Sequence, residues 1–485
     1  MIEATLADRR LHPATVLLRF LQNLPSTLLG LPALVTFLAD VGWRYFALLV
    51  AASVVLFALG HWVMWRRFTY GIGAGEIVIE SGLLHRSRRT IPFDRIQDVD
   101  FERGPLQRVF GLAKVRIETG GAAKDEGMLD SLSMPEAERL RAAVRARQGQ
   151  PVSPGDMPQQ DMPVFAMDPD RVMLSGLFNF SLLWMAGIFA VLQQLDGVFG
   201  FDIYDLPRWI GLARENVAAR LSIGAVLGVA LLAVALGIAS GVVATMLRDY
   251  GFRLTAAPQG LRRERGLLTR SEVVIPKRRI QLALIQSGPL RRALGWTALR
   301  VQTLGIGEAK GDGGLQDAAP FARTDEIDAI LAETRGLRRP DPAALRRVSS
   351  AHLWKIVALA AAGPIVPLVI ATLLFPPLLL AGLAIPLLIA AAIVERRWHR
   401  YAFDGDLVFV QSGWWRRRLW ILPVRGIQTV TLRRSWLQRR LDIASLRFDT
   451  AGASMFGGPG ISDMRHAHAE ALAAAILAQN HGPSF

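Results

Sequence analysis

A threefold internal repeat constrains this chain more than any other feature of its sequence. Three 38-residue stretches beginning at Gly82, Gly266 and Gly413 align without a gap, and nine positions are identical in all three. Chance would give roughly one identical position or fewer at ordinary residue frequencies. The shared positions are Gly82/Gly266/Gly413, Arg86/Arg270/Arg417, Pro92/Pro276/Pro423, Ile96/Ile280/Ile427, Gln97/Gln281/Gln428, Leu106/Leu290/Leu437, Arg108/Arg292/Arg439, Arg116/Arg300/Arg447 and Thr119/Thr303/Thr450. The chain therefore consists of three related units, called copies one, two and three.

Inside each copy the residue pattern is that of strands joined by tight turns. Apolar runs at 77–79 and 407–410 precede a Ser-Gly pair, and residues 115–119 alternate in polarity. Each copy closes with a helical stretch, and in the last one apolar residues recur at three- and four-residue spacing. These stretches cover residues 135–148, 324–335 and 463–479. Each copy is thus predicted to form a small β-barrel with a C-terminal capping helix.

Two further expectations concern the register of the copies and their packing. Tyr70, Tyr250 and Tyr401 lie 12, 16 and 12 residues before the respective shared glycine. This spacing predicts four extra residues in copy two. The shared apolar positions, Ile96 and Leu106 with their equivalents, are predicted to pack inside each barrel.

Apolar runs precede each copy. The chain is 51% apolar and only 20% charged, with a mean hydropathy of +0.29, which is too apolar for a soluble protein of this size. Six runs approach the length of about 20 residues that a helix needs to cross a bilayer. They cover residues 16–39, 45–64, 172–195, 221–247, 353–375 and 378–394. Taken in pairs, they predict a transmembrane hairpin before each barrel.

The distribution of basic residues predicts the orientation of these hairpins. Only 4 of the 56 Lys and Arg residues, Arg44, Arg208, Arg214 and Arg220, fall in the loops inside the pairs. Basic residues favour the cytoplasmic side of a membrane. All three barrels and both termini are therefore expected to be cytoplasmic.

Together these patterns predict an α+β membrane protein with three repeats of a transmembrane helical hairpin followed by a small β-barrel with a C-terminal capping helix. The predicted boundaries are 1–67, 169–248 and 351–398 for the hairpins, 68–148, 249–336 and 399–485 for the barrels, and 149–168 and 337–350 for the linkers.

The residues at and around the shared positions resemble a known family. Copy one has Gly82-Leu83-Leu84, Ile91-Pro92, Arg95-Ile96-Gln97 and, after Gly111, Arg116-Ile117-Glu118-Thr119. Copy two has Gly266-Leu267-Leu268, Ile275-Pro276, Arg279-Ile280-Gln281 and, after Gly295, Arg300-Val301-Gln302-Thr303. Copy three departs from this pattern with Trp414-Trp415, Leu422-Pro423, Gly426-Ile427-Gln428 and Asp442. A hairpin that leads into such segments resembles the bacterial pleckstrin-homology (PH) membrane proteins of the YdbS/YdbT family. The three-copy arrangement is similar to its longer, YdbT-like members.

The resemblance implies a PH-like fold for each copy, a bent β-sheet barrel closed by a C-terminal helix. It also implies a link to protection against membrane-active peptides, and a shorter YdbS-like PH membrane protein as a partner. We therefore expect a non-catalytic multi-pass scaffold of the bacterial inner membrane. Its PH-like domains would bind lipid headgroups or partner proteins, in envelope stress or antimicrobial-peptide resistance. The alternative is a component of a transport or export complex.

Residues that would carry catalysis or hold a cofactor are missing from the sequence. The absence of cysteine excludes a disulfide framework, a thiol nucleophile and a zinc site with cysteine ligands. There is no GxxxxGK[ST] motif, and residues 71–75 lack the third glycine of a dinucleotide-binding loop. His466 and His468 lie two residues apart, on different faces of the last predicted helix. We therefore expect no enzyme activity, no metal and no cofactor.

Basic residues are the remaining candidates for function. The chain carries a formal charge of +15, and its hydrophobicity favours an anionic membrane over nucleic acid as the partner. Copies one to three contain 13, 14 and 10 basic residues against 12, 9 and 6 acidic ones, so copies two and three have the larger excess. The basic clusters have three interpretations: topology signals on solvated strands, lipid contacts, or contacts to a protein. The candidate lipid or partner contacts are Arg262, Arg263, Arg265, Arg270, Lys277, Arg278, Arg279, Arg416, Arg417 and Arg418.

Overall fold

A computed structural model describes most of the chain, and its residues divide into two compact units. Unit 1 comprises residues 1–161, 166–253 and 263–273, and unit 2 comprises residues 162–165, 254–262 and 274–485. The described residues are 8–19, 43–73, 75–82, 85–119, 127–147, 163–179, 223–257, 260–303, 314–334, 336–358, 384–450 and 458–480.

Copy one lies in unit 1 and forms two groups of antiparallel strands. The first four strands form a sheet of order β1-β2-β3-β4, and the next three are arranged as β7-β6-β5. The strands are β1 (Arg9–Arg10), β2 (Thr69–Ile72), β3 (Glu76–Ser81), β4 (Ser87–Pro92), β5 (Ile96–Arg103), β6 (Leu112–Thr119) and β7 (Met128–Ser133).

The core of copy one is built from the apolar residues of these strands. Ile77, Ile96 and Leu129 are all at most 1% exposed, and Leu140 from the helix that follows β7 is fully buried among them. This helix, α3, spans Met134–Arg147. The predicted capping helix of copy one is thereby confirmed.

Copy two contributes β8 (Pro163–Ala166), β9 (Arg253–Ala257), β10 (Gly260–Arg265) and β11 (Arg270–Pro276). Within unit 1, the start of β11 pairs with β5, and Glu272 lies opposite Phe101. Arg141 of α3 reinforces this pairing, because its Nη1 donates to Glu272 Oε1 at 2.9 Å. Its guanidinium carbon lies 3.7 Å from the centre of the Phe101 ring. Copies one and two therefore share a hydrogen-bonded sheet.

Unit 2 repeats this junction between copies two and three. Its seven-stranded sheet has the order β14-β13-β12-β18-β17-β16-β15, and a three-stranded sheet of order β19-β20-β21 completes copy three. β12 pairs with β18 along five residues, from Ala283 opposite Ile421 to Ser287 opposite Arg417. The strands are β12 (Ile280–Ser287), β13 (Thr297–Thr303), β14 (Leu315–Ala322), β15 (Arg346–Arg347), β16 (Arg400–Phe403), β17 (Leu407–Ser412), β18 (Arg417–Pro423), β19 (Ile427–Arg433), β20 (Ile443–Thr450) and β21 (Gly460–Arg465).

Helices begin, connect and close the copies. They are α1 (Trp43–Arg67), α2 (Pro105–Val109), α3, α4 (Pro169–Leu177), α5 (Ile223–Asp249), α6 (Pro289–Ala293), α7 (Thr324–Ala332), α8 (Ala384–Trp398), α9 (Trp436–Arg440) and α10 (His466–Asn480). In α10, Ala469 and Ile476 are fully buried against copy three. The capping helices predicted for copies two and three are therefore present as α7 and α10.

The transmembrane hairpins of the predicted fold class are wrong. Among the described residues, no helix combines the length and the apolar character needed to cross a membrane. α4 has 9 residues, fewer than the about 20 that a span requires.

Other parts of the predicted spans, residues 20–42, 180–222 and 359–383, lie outside the described residues, as does most of the first predicted linker. What the structure does support is the β part of the prediction, a repeated pattern of antiparallel sheets with closing helices.

The predicted four-residue insertion in copy two is also wrong. β2, β9 and β16 each begin 13 residues before the shared glycine, at Thr69, Arg253 and Arg400. Leu254, which is fully buried, therefore occupies the place of Tyr70 and Tyr401. The sequence comparison matched Tyr250 with Tyr70 and Tyr401 by residue type, whereas the strand requires only a large apolar side chain.

The shared leucine does not pack in every copy. Ile96 and Ile427 are buried as expected, but Leu290 is 70% exposed. The helix that carries it, α6, contacts the rest of copy two through Arg291 instead. Arg291 Nη1 donates to Pro320 O at 3.3 Å.

Candidate anion-binding surface

The structure separates the predicted contact residues into three groups. Arg262, Arg263 and Arg265 lie on β10, and Arg270 begins β11. The 3-10 turn between β11 and β12 holds Lys277, Arg278 and Arg279. The third group is at the turn from β17 to β18 and consists of Arg416, Arg417 and Arg418.

The basic residues of β10 and β11 in unit 1 are engaged in internal contacts. Arg265 Nη1 lies 3.2 Å from Oδ1 of Asp249, whose side chain is fully buried. Arg270 Nη2 lies 2.8 Å from Glu264 Oε2, and Arg263 is only 5% exposed. These contacts favour a structural role, because paired or buried guanidinium groups attract an external anion weakly.

The 3-10 turn of copy two is similarly engaged. Lys277 Nζ forms an ion pair with Glu333 Oε2 at 3.0 Å, and Arg279 is buried. Arg278 is exposed. This turn therefore offers one exposed arginine rather than a cluster of three.

The turn between β17 and β18 presents its side chains to solvent. Trp414 and Trp415 are 40% and 59% exposed, and their rings meet edge to face with 5.5 Å between centroids. Arg416 and Arg418 beside them are exposed. We call residues 414–418 the Trp-Arg turn.

Gly413 explains why this turn is tight. Its φ is +82°, and a Cβ on it would lie 2.1 Å from the carbonyl oxygen of Arg416. Gly82 and Gly266 also have positive φ, and a Cβ on either would meet the carbonyl oxygen three residues later at 1.9 Å. The shared glycine is thus a requirement of the turn in all three copies.

Arg417 differs from its exposed neighbours. Its guanidinium carbon lies 3.6 Å from the centre of the Trp398 ring. Arg292 and Arg400 approach the same ring, at 6.0 and 5.9 Å. Burial, together with the charges of Arg292 and Arg400, lowers the pKa of Arg417 to about 10. We call these three arginines with Trp398 the Trp398 cluster.

Strand pairing assembles the Trp398 cluster from two copies. Ser287 lies opposite Arg417, and α6 begins two residues after Ser287. Arg292 of α6 is therefore close to the start of β18. Arg400 reaches the cluster from β16 and Trp398 from the end of α8. Arg292 and Arg417 are both shared positions, so the repeat alignment highlights them. The alignment does not show that they meet, and Trp398 has no counterpart in it.

A buried polar network in copy three was also missed. Asp463 is fully buried, and it accepts hydrogen bonds from His352 Nδ1 at 2.6 Å and from Lys355 Nζ at 2.8 Å. Gln438 Nε2 donates to the same carboxylate at 2.6 Å. These hydrogen bonds outweigh burial and lower the pKa of Asp463 to about 2. The sequence placed Asp463 at the start of the last helix, but it lies in β21, before α10 begins.

His399 borders this network and is buried. Its Nε2 accepts a hydrogen bond from Ser462 N at 3.2 Å. Burial, with a smaller contribution from the nearby His352, lowers the pKa of His399 to about 4. The histidine is therefore neutral near pH 7, and the network joins the segment before α8 to the last strand of copy three.

Within the described ranges, no group of three or more His, Asp or Glu side chains is placed to hold a metal ion. His466 Nε2 lies 3.2 Å from Glu470 Oε1, one turn along α10.

Comparison with known proteins agrees with the repeat. The bacterial PH domain model matches residues 26–148, 211–351 and 356–480. The chain is 25% identical over 346 residues to the UPF0699 transmembrane protein YdbT of Bacillus subtilis (strain 168), covering 67% of this chain and 68% of that protein.

It is 36% identical over 81 residues to the UPF0699 transmembrane protein YdbS of the same organism. That match covers 17% of this chain and 47%, or about half, of YdbS. No solved structure matches the chain. Since the family model covers most of the sequence in three consecutive matches, the chain belongs to the bacterial PH domain family and is YdbT-like.

Proposed function

We propose that this chain is a non-catalytic, membrane-associated protein that docks on anionic lipid through the Trp-Arg turn of copy three. The observation that carries the proposal is the exposed pair Trp414 and Trp415 with exposed arginines on their C-terminal side. The names of the relatives YdbT and YdbS, both transmembrane proteins, support a membrane as the site of action.

The chemistry of the turn matches a membrane interface. Tryptophan is enriched at the level of the lipid headgroups, because its ring is apolar and its N–H is polar. A Lys or Arg close to an anionic surface contributes about 1 kcal/mol. Arg416 and Arg418 therefore attract the turn to anionic lipid, and the two indoles anchor it at the level of the headgroups.

Copy two offers a weaker version of the same turn. Leu267 and Leu268 are 36% and 49% exposed at the positions of the two tryptophans. The arginine that follows, Arg270, is paired with Glu264. Copy three is therefore expected to dominate the docking.

The wider biological role is also part of the proposal. We place the PH-like domains on the cytoplasmic side of the bacterial membrane, where the anionic leaflet would attract basic residues. Partnership with a shorter YdbS-like protein, a scaffold role and a part in envelope stress or antimicrobial-peptide resistance remain predictions from the resemblance. The transport or export alternative also remains a prediction.

Vesicle flotation of the purified full-length chain tests the docking. Phosphatidylcholine vesicles with and without phosphatidylglycerol are compared. The double variant Trp414→Ala/Trp415→Ala should weaken binding to both kinds of vesicle, and Arg416→Gln/Arg418→Gln should weaken the preference for the anionic vesicles about tenfold. Trp436→Ala removes another exposed tryptophan of copy three and is the matched control. Equal flotation of all four proteins on both vesicles would refute the proposal.

A further inference from the structure

We propose that the Trp398 cluster is a binding site for a single phosphate group, formed jointly by copies two and three. The proposal goes beyond membrane docking, because a defined site can hold a phosphate group whether or not the Trp-Arg turn meets a bilayer. Its basis is the convergence of Arg292, Arg400 and Arg417 on one indole ring.

Two buried nitrogen atoms of the cluster carry N–H groups that have no acceptor. Nε of Arg417 and Nη1 of Arg292 are buried and have no hydrogen-bond partner. Arg400 uses its Nε for a bond to Arg397 O at 3.2 Å. In the described part of the chain, none of the three arginines forms an ion pair. Since buried donors usually have an acceptor, these two atoms are available to an added acceptor such as an anion.

The equivalent residues of copy two differ from the cluster in charge and in the aromatic ring. There Glu264 neutralises Arg270 at 2.8 Å, whereas copy three has Gln411 two residues before its shared glycine. Gln411 lies opposite Arg400 in the pairing of β16 with β17. Copy two also has Gly251 at the position of Trp398, two residues before the strand begins. Copy three therefore has an amide in place of the acid, and it has the ring on which Arg417 stacks.

The ligand chemistry follows from the donors. A guanidinium group matches the oxygens of phosphate or carboxylate. Inorganic phosphate or a phosphate monoester presents at least three terminal oxygens and can accept from three arginines on different sides, whereas a carboxylate has only two oxygens. The indole offsets part of the repulsion among the cations through its negative face. All four side chains are half-buried, so each keeps part of its surface in contact with solvent.

The phosphate group could belong to a lipid headgroup or to a soluble molecule, and the experiment has an arm for each source. Inorganic phosphate and glycerol 3-phosphate are titrated into the purified full-length chain by calorimetry at constant ionic strength. Vesicles containing phosphatidic acid, whose headgroup is a phosphate monoester, form the second arm. The test variant is Gln411→Glu, which introduces at the equivalent position the carboxylate that pairs with Arg270 in copy two.

The second test variant is Arg292→Gln, which removes one guanidinium group of the Trp398 cluster and does not bury a new charge. The control is Arg440→Gln, which removes an exposed arginine that stacks on Trp436 at 5.1 Å outside the cluster. Thermal unfolding of each variant reports whether it folds.

Saturable binding of either soluble phosphate is expected, weakened at least about tenfold by Gln411→Glu and Arg292→Gln and unchanged in the control. Binding of the vesicles alone, with the same dependence on the variants, would support the site with a headgroup as the source. Absence of binding in both arms, or binding that both variants leave intact, would overturn it. Loss of the two tryptophans of the Trp-Arg turn should leave soluble phosphate binding unchanged, so the docking proposal can fail while this one stands.

Discussion

His399 links the stability of copy three to pH. Phe68 and Phe252 hold the corresponding places directly before β2 and β9, so an apolar ring suits this position. The histidine is accommodated because it stays neutral and accepts a hydrogen bond from Ser462 N. Its lowered pKa means that the unfolded chain takes up a proton at a higher pH than the folded chain does.

We therefore expect copy three to lose stability as the pH falls from 6.5 towards 4. The full-length chain should lose up to about 3 kcal/mol in this window, since each unit of pKa shift corresponds to roughly 1.4 kcal/mol. His399→Phe should flatten this dependence, although it gives up the bond from Ser462 N. The lowered pKa of Asp463 makes a separate contribution to stability. That contribution is lost only as the pH falls below the ordinary aspartate pKa of about 3.8.

Thermal unfolding measured across this pH range checks the expectation. His468→Gln, which changes an exposed histidine on α10, is the control. An unaltered acid dependence in His399→Phe would show that another group titrates.

Leu290 is a shared residue that is exposed although the repeat predicts that it is buried. Since its side chain is 70% exposed, Leu290→Ala should change the free energy of unfolding by no more than about 0.5 kcal/mol. Leu140→Ala, at a fully buried leucine of α3, should cost about 2 to 5 kcal/mol. Chemical denaturation compares the two variants, and a large loss in Leu290→Ala would mean that α6 packs differently.

At the scale of the element, strands and closing helices follow from local pattern. The apolar runs in β3 and β17 and the glycine at the end of each could be predicted, because alternation and turn geometry are properties of a few neighbouring residues. The pairing of β12 with β18 could not, since it joins residues of different copies. The Trp398 cluster depends on this pairing, so the sequence indicated Arg417 but neither its partners nor its burial.

The Trp-Arg turn depends on Gly413. Gly413→Ala should destabilise the turn by about 1 to 3 kcal/mol, because the residue has a positive φ and the new Cβ would clash with the Arg416 carbonyl. Vesicle docking should weaken with it. Gly288→Ala is the matched control, since Gly288 has φ −79° and a Cβ there would meet nothing within 4 Å. Unfolding curves of equal midpoint for both variants would contradict this account.

At the scale of the whole molecule, the copies are linked through their sheets. Within unit 1, β5 pairs with β11, and within unit 2, β12 pairs with β18. Each of these pairings joins the second half of one copy to the first half of the next. The repeated copies therefore also form sheet junctions with one another. The two junctions differ in charge, because copy three has Gln411 where copy two has Glu264. A copy excised from the chain would lose a strand neighbour, so function is best tested in the full-length protein.

The chain contains no cysteine, so a single spin label can be placed at any chosen residue. Trp415→Cys places the label on the Trp-Arg turn and leaves Trp414, Arg416 and Arg418 to dock it. Ala474→Cys places the label on an exposed position of α10. Electron paramagnetic resonance then compares label accessibility to oxygen, which concentrates in lipid, and to a water-soluble nickel complex. With vesicles containing phosphatidylglycerol, the account predicts that the label at 415 gains oxygen accessibility and loses nickel accessibility, while the label at 474 stays in water. A label at 415 that remains as accessible to nickel as the label at 474 would contradict docking through this turn.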